Sequence, residues 1–349
     1  MTAPAPLART ADRIKDRLPE RLLTTTEPAP PSGRFSWLVV AACTWILVGL
    51  FVDGYFHVHD DSLESFFTPW HALLYSGAAA AVVVHLVENR RAGGLRPGYG
   101  GSLVGGLVVS VAGGADMVWH EVFGVEADLE ALLSPPHLLL IVAGTLVFAG
   151  PMRAAVLAGS GGLPAAFSAA FVVTGLAFFT QYANPFTHLY PVAGYVPDGG
   201  AAGGVAVDAA GLEELGQVAG VAGVVVFAAL VGGSVAVLRT LRDLPAGAYL
   251  VALAVPVAFL GTLRGTLWLL PAAVVAGLLT EQLRRLGPAA LAAASSALLF
   301  TGWALTLSLL RDVAWSLELL SGTVCSAVAA AYLVGWAVEA GRRGARQAA

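Results

Sequence analysis

The sequence predicts an all-α, polytopic membrane protein of about ten transmembrane helices, with cytoplasmic N- and C-termini and a tandem repeat of helical hairpins in its N-terminal half. Three observations predict this. Hydrophobic residues make up 57% of the chain and charged residues only 12%, with a mean hydropathy of +0.76. A soluble chain carries roughly twice that charge. Apolar stretches near the ~20 residues that cross hydrocarbon recur along the whole length. Lys and Arg fall in alternate connecting segments, as the positive-inside rule requires of a multi-pass protein.

The elements follow in order. Residues 1–35 are polar, Pro-rich and charged, and read as a cytoplasmic disordered tail with no apolar signal-peptide core. Ten apolar segments follow, at about 36–57, 68–88, 100–121, 134–157, 163–183, 213–238, 246–262, 265–283, 289–310 and 314–338. Pro69, Pro135, Pro164 and Pro288 stand at helix starts, where a missing N–H costs nothing. Pro256 and Pro271 fall inside segments and predict kinks. The organisation expected is two tandem hairpins over 36–157, a third over 158–238 with a Gly-rich outer loop, and a C-terminal scaffold with a short basic tail over 239–349. Cys43 and Cys325 both lie in apolar runs and read as small buried residues rather than a disulfide.

Orientation follows from the basic residues. With the N-terminus inside, every Lys and Arg except Arg264 and Arg311 falls on the cytoplasmic side. The acids divide in the opposite sense, and so do the histidines: only His85 lies towards an inner helix end. Topology does not demand this asymmetry, because acids contribute little to orientation. It points to a cation site on the outer face of a cell (inner or plasma) membrane.

Two aligned stretches carry the chemistry. Asp53-x3-His57 recurs as Asp116-x3-His120. Leu63-Glu64-x2-Phe67-Thr68-Pro69-x-His71 recurs without a gap as Leu129-Glu130-x2-Leu133-Ser134-Pro135-x-His137. Four of the seven histidines therefore occupy matched places. Asp-x3-His puts both side chains on one helix face, one turn apart. The His of Thr/Ser-Pro-x-His sits on the first turn of the returning helix and can close on the pair. Asp53, His57, His71, Asp116, His120 and His137 are thus candidate metal ligands, with Glu64 and Glu130 as fourth ligands, partners that orient the ligands, or catalytic proton carriers. Groups of this kind at membrane depth face the bundle interior and have a function. One carboxylate and two imidazoles suit a transition metal; copper leads by affinity order, with zinc and iron the alternatives. The competing reading is a hydrogen-bonded network in which each Asp holds its His.

Asp53-x3-His57-x13-His71 resembles the Asp-x3-His-x12-His copper-ligand set of the C subunit of particulate methane and ammonia monooxygenases, also carried on two successive membrane helices. The resemblance implies that Asp53, His57 and His71 ligate copper, and by the repeat Asp116, His120 and His137. The chain departs from that pattern in a spacing one residue longer in the first copy and four longer in the second, in the doubling of the site, and in a higher helix count.

The leading functional reading is an integral membrane metalloprotein with sites near the extracytoplasmic face, a copper-dependent oxidase or monooxygenase-like protein acting on a small or lipid-soluble substrate. An ion or metal transporter is the second reading, though an inner-half pathway of polar residues is missing. A non-catalytic metal sensor or assembly subunit is the third. Partners expected are the lipid bilayer and such a substrate, with homo-oligomerisation or partner subunits open, and no nucleic acid.

Overall fold

The computed structural model describes residues 33–59, 66–124, 128–196 and 209–348. The described residues are 81% helix. The helices are α1 (Arg34–His59), α2 (Pro69–Ala92), α3 (Gly100–Phe123), the short α4 (Asp128–Leu133), α5 (Pro135–Phe148), α6 (Gly150–Ala158), α7 (Leu163–Phe179), α8 (Ala209–Arg239), α9 (Ala248–Leu263), α10 (Leu270–Gln282), α11 (Pro288–Leu310) and α12 (Leu317–Ala348). Single 3₁₀ turns stand at Gln181–Ala183 and Leu267–Leu269. Each apolar segment of the sequence is helical. Among the described residues six helices are long and apolar enough to cross a membrane, namely α1, α2, α3, α8, α11 and α12. They are seven if α5 and α6, bent by 42°, form one span; α7, α9 and α10 are shorter apolar helices. Such helices call for a bilayer, because no other solvent accepts so much apolar surface.

The differences from expectation have local causes. The segment expected as one helix over 134–157 breaks between Phe148 and Gly150, because Pro151 follows in the first turn of α6 and removes a helix hydrogen bond. Pro271 stands at the start of α10 rather than inside a helix, since the Leu267–Leu269 turn precedes it. Pro256 is inside α9, as expected. The first helix starts at Arg34, within the stretch assigned to the tail. Cys43 is buried, but Cys325 is exposed on α12. The rest of the expected tail and most of the Gly-rich loop lie outside the described residues.

Hairpin packing positions the site. α1 packs on α2, and α3 on α5. Small residues set both crossings. A Cβ on Gly49 would come within 2.5 Å of the Leu74 backbone, and one on Gly105 within 2.5 Å of the Ala143 carbonyl. Without a hydrophobic drive between helices in lipid, this close backbone approach supplies the packing. α4 sits between α3 and α5 and packs on α5. The second half of the chain, α8 to α12, packs mostly on itself, while α7 joins it to the hairpins through α9.

Candidate metal centre

Asp53 and His57 lie on the last turns of α1, and Asp116 and His120 on the last turns of α3. The returning helices begin with Thr68-Pro69 and Ser134-Pro135, the Thr or Ser at the N-cap and proline in the first turn. This places His71 and His137 at the third helical position, facing back towards the preceding helix. Thr68 caps in the usual way, its hydroxyl accepting from the His71 N–H at 3.2 Å. Ser134 instead bonds His137 Nδ1 at 2.7 Å. The same cap position thus fixes the helix start in one copy and the imidazole in the other.

The six predicted ligands meet as two groups of three, Asp53–His57–His71 and Asp116–His120–His137, each offering ligand atoms within 4.8 Å of one another. In the first, Asp53 Oδ1 lies 3.2 Å from His71 Nε2 and 3.9 Å from His57 Nε2. In the second, Asp116 Oδ1 lies 3.4 Å from His137 Nε2 and 3.6 Å from His120 Nε2. Ligand atoms about 2.0–2.1 Å from a tetrahedral ion are about 3.3 Å apart, so these spacings fit a common ion. Asp53, His71, Asp116, His120 and Ser134 are buried, while His57 and His137 are partly exposed. Each cluster therefore has two enclosed ligands and one open to its surroundings.

Two imidazoles are oriented by main-chain carbonyls. His71 Nδ1 lies 2.6 Å from the Phe66 oxygen, and His120 Nδ1 lies 3.2 Å from the Gly124 oxygen. A carbonyl only accepts, so the proton is on Nδ1 in both rings. In the neutral imidazole the Nε2 lone pair then points at the carboxylate. Two acceptors facing each other at this distance repel unless a cation lies between them. A backbone carbonyl on the distal nitrogen is the arrangement that metal-ligating histidines use. Gly124 turns its carbonyl back with φ 85°, a conformation that favours glycine.

The clusters are neighbours. The His71 and His120 rings are 6.5 Å apart by centroid, and Phe66 stacks on His71 at 4.6 Å and lies 6.1 Å from His120. Tyr75, one turn beyond His71, donates to Asp116 Oδ2 at 3.2 Å, joining the first hairpin to the second cluster. A Cβ on Gly113 would come within 2.4 Å of the Tyr75 ring, so glycine there makes room for that reach. Both clusters open on a cavity of about 1090 Å³. Its walls are largely apolar, from Leu50, Leu74, Leu140 and Phe178 among others, with Gln181, His188 and Arg264 on the part remote in sequence.

Glu64 and the side chain of Glu130 lie outside the described residues. His59 is apart from the cluster, stacked on Tyr55 at 4.1 Å with Nδ1 2.8 Å from the Tyr55 oxygen. His85 is a packing histidine: it is 1% exposed, its Nδ1 is 2.7 Å from the Ala81 oxygen, and Phe35 meets its ring edge-on. Sequence reasoning missed the orienting groups. The Phe66 carbonyl leaves no mark in a sequence; Gly124, four residues after a ligand and at a helix end, does. Tyr75 lacks a counterpart in the second copy, where Ile141 holds the aligned place, so alignment of the copies passed over it.

Comparison with protein-family models, with curated proteins and with solved structures found no match.

Proposed function

We propose that the chain is a ten-span metalloprotein of the cell membrane. In this reading Asp53, His57 and His71 bind one transition ion and Asp116, His120 and His137 a second, on the extracytoplasmic side of two tandem hairpins. The observation that carries the reading is the pair of histidines whose Nδ1 atoms are engaged by carbonyls, so that their Nε2 atoms converge on buried carboxylates. The network alternative pairs each Asp directly with its His. Among the described residues Asp53 Oδ1 is buried without hydrogen-bond geometry while His71 Nε2 stands 3.2 Å away, which favours an ion between them.

Copper is the favoured ion: all donors are imidazole or carboxylate, and copper binds such sets most tightly of the divalent metals. Bound there, an ion would supply a redox centre with an open coordination position. The surrounding residues suit oxidation of a small lipid-soluble molecule. The largely apolar cavity has room for such a molecule, and His57 and His137 present the ligand sets to it. Tyr75 holds Asp116 in place. Enzymatic oxidation is tested by supplying copper-loaded protein in lipid nanodiscs with oxygen, ascorbate and a medium-chain alkane. Product that requires loaded metal and is lost in Asp53→Ala/His57→Ala supports the reading. Copper flux into proteoliposomes without turnover would replace it with the transporter.

A further inference from the structure

The cavity has a polar patch that the metal reading leaves unused. Directly after α7 the chain makes a tight turn over 180–190. Thr187 Oγ1 donates to the Gln181 carbonyl at 2.5 Å, and the His188 N–H to the Asn184 carbonyl at 2.9 Å. Distant elements pin this turn. Thr266 donates its hydroxyl to the Phe186 carbonyl, and Trp303 Nε1 donates to the Pro185 carbonyl at 3.1 Å. Phe186, at its centre, is fully buried. The turn is therefore a rigid platform, and two of its side chains line the cavity: Gln181 and His188.

Both are deeply buried, 7% and 3% exposed respectively. Tyr195 engages His188 Nδ1 at 2.7 Å, and Tyr190 stacks on the ring at 5.5 Å, so the imidazole is fixed. Yet among the described residues His188 Nε2 and Gln181 Oε1 have no hydrogen-bond partner. A buried polar atom left unmatched is costly, and two residues with such atoms lining one cavity mark a place where a ligand completes the pairing. Gln181 also stands where the aligned copies have Asp: Phe179-Thr180-Gln181 parallels Phe51-Val52-Asp53. An uncharged carboxamide at that position is a poor metal ligand but a good hydrogen-bonding one.

We infer that Gln181 and His188 form a subsite for the hydroxyl group of an otherwise apolar molecule, a medium- or long-chain alcohol, whose hydrocarbon body lies in the apolar part of the cavity. A hydroxyl both donates and accepts, so it can donate to Gln181 Oε1 while accepting from His188 Nε2–H, the tautomer selected when the Tyr195 hydroxyl donates to Nδ1. A carboxylate, though drawn by Arg264 on the same cavity, would set an oxygen against Gln181 Oε1 and bring its charge into a largely apolar chamber. An ammonium would meet Arg264, which lines the same cavity. The inference rests on the proposed function only in taking this cavity as the substrate chamber.

The test is equilibrium binding of radiolabelled 1-dodecanol to the full chain in lipid nanodiscs, with empty nanodiscs as the partition control and metal content measured in parallel. The expected result is a saturable component with dodecane and dodecanoate each binding at least tenfold more weakly. Gln181→Met and His188→Phe keep bulk but remove the polar atoms, and each weakens dodecanol binding at least about fivefold while metal content stays at the wild-type value. Gln181→Met keeps the test sound if His188→Phe fails to fold, because Oε1 has no partner among the described residues to lose. Equal binding of dodecane and dodecanol, tighter binding of dodecanoate, or wild-type affinity in Gln181→Met would each overturn the subsite. Wild type that binds dodecanol selectively but holds no metal would leave the subsite standing and remove the metal reading instead.

Discussion

Tyr75→Phe separates the two clusters. It deletes one oxygen, the donor to Asp116 Oδ2 at 3.2 Å, and leaves the ring that packs against Gly113 and Phe66. Asp116 is 1% exposed, so water cannot replace the lost donor at no cost. A hydrogen bond to a charged group contributes about 1.5–3 kcal/mol, and a length of 3.2 Å puts this one at the lower end. Loss of an outer partner of a metal ligand lowers affinity about 10–100-fold, and the same reasoning places Tyr75→Phe near tenfold. Chelator competition against copper-loaded protein reads this directly. The second cluster's binding step should weaken by about a decade, with the first cluster's step unchanged. Equal weakening of both steps, or of neither, would refute the assignment of Tyr75 to the second cluster.

Gly113→Val should mimic this effect by displacing the Tyr75 ring, which a Cβ would meet at 2.4 Å, with additional loss of thermal stability. Gly124→Ala should weaken copper binding at the second cluster alone, because φ 85° strains any residue with a Cβ and the His120 anchor moves; unchanged affinity would show that the carbonyl does not orient the ring. Gly49→Leu should lower the melting temperature by opening the α1–α2 crossing, at a cost of about 1–3 kcal/mol or more, read by thermal unfolding in detergent. The His188 imidazole is pushed down to about 3 by burial and by Arg264 nearby. Its unfolded value is about 6.5, so between the two the unfolded chain binds the extra proton and stability falls as pH falls. At pH 5 the loss is about 2 kcal/mol relative to pH 7, and denaturant unfolding of His188→Gln should lack that component.

Much of this was legible in the residues. Apolar stretches located every long helix, because in lipid the backbone must pair within its own segment and hydropathy alone marks the span. The paired motifs located all six residues of the two clusters, because a helix repeat of 3.6 fixes which side chains share a face. The bend at Gly150-Pro151 was equally readable but was overlooked within a long apolar run. What the residues could not show depends on which helices meet. The Tyr75–Asp116 contact joins α2 to α3, elements whose mutual approach is set by glycines rather than by any pattern of ligands. The convergence of Gln181 and His188 with the clusters on one cavity depends on how α7 and its following turn pack beside α1 and α5. The clusters' adjacency, with His71 and His120 at 6.5 Å, is likewise a tertiary fact.

The most direct test is metal stoichiometry. The chain is reconstituted with Cu(II), desalted and measured by elemental analysis beside Asp53→Ala, Asp116→Ala and the double variant. Two groups of three ligands require two equivalents in the wild type, one in each single variant and none in the double. A double variant that keeps its copper, or a folded wild type that takes up none, would contradict the account.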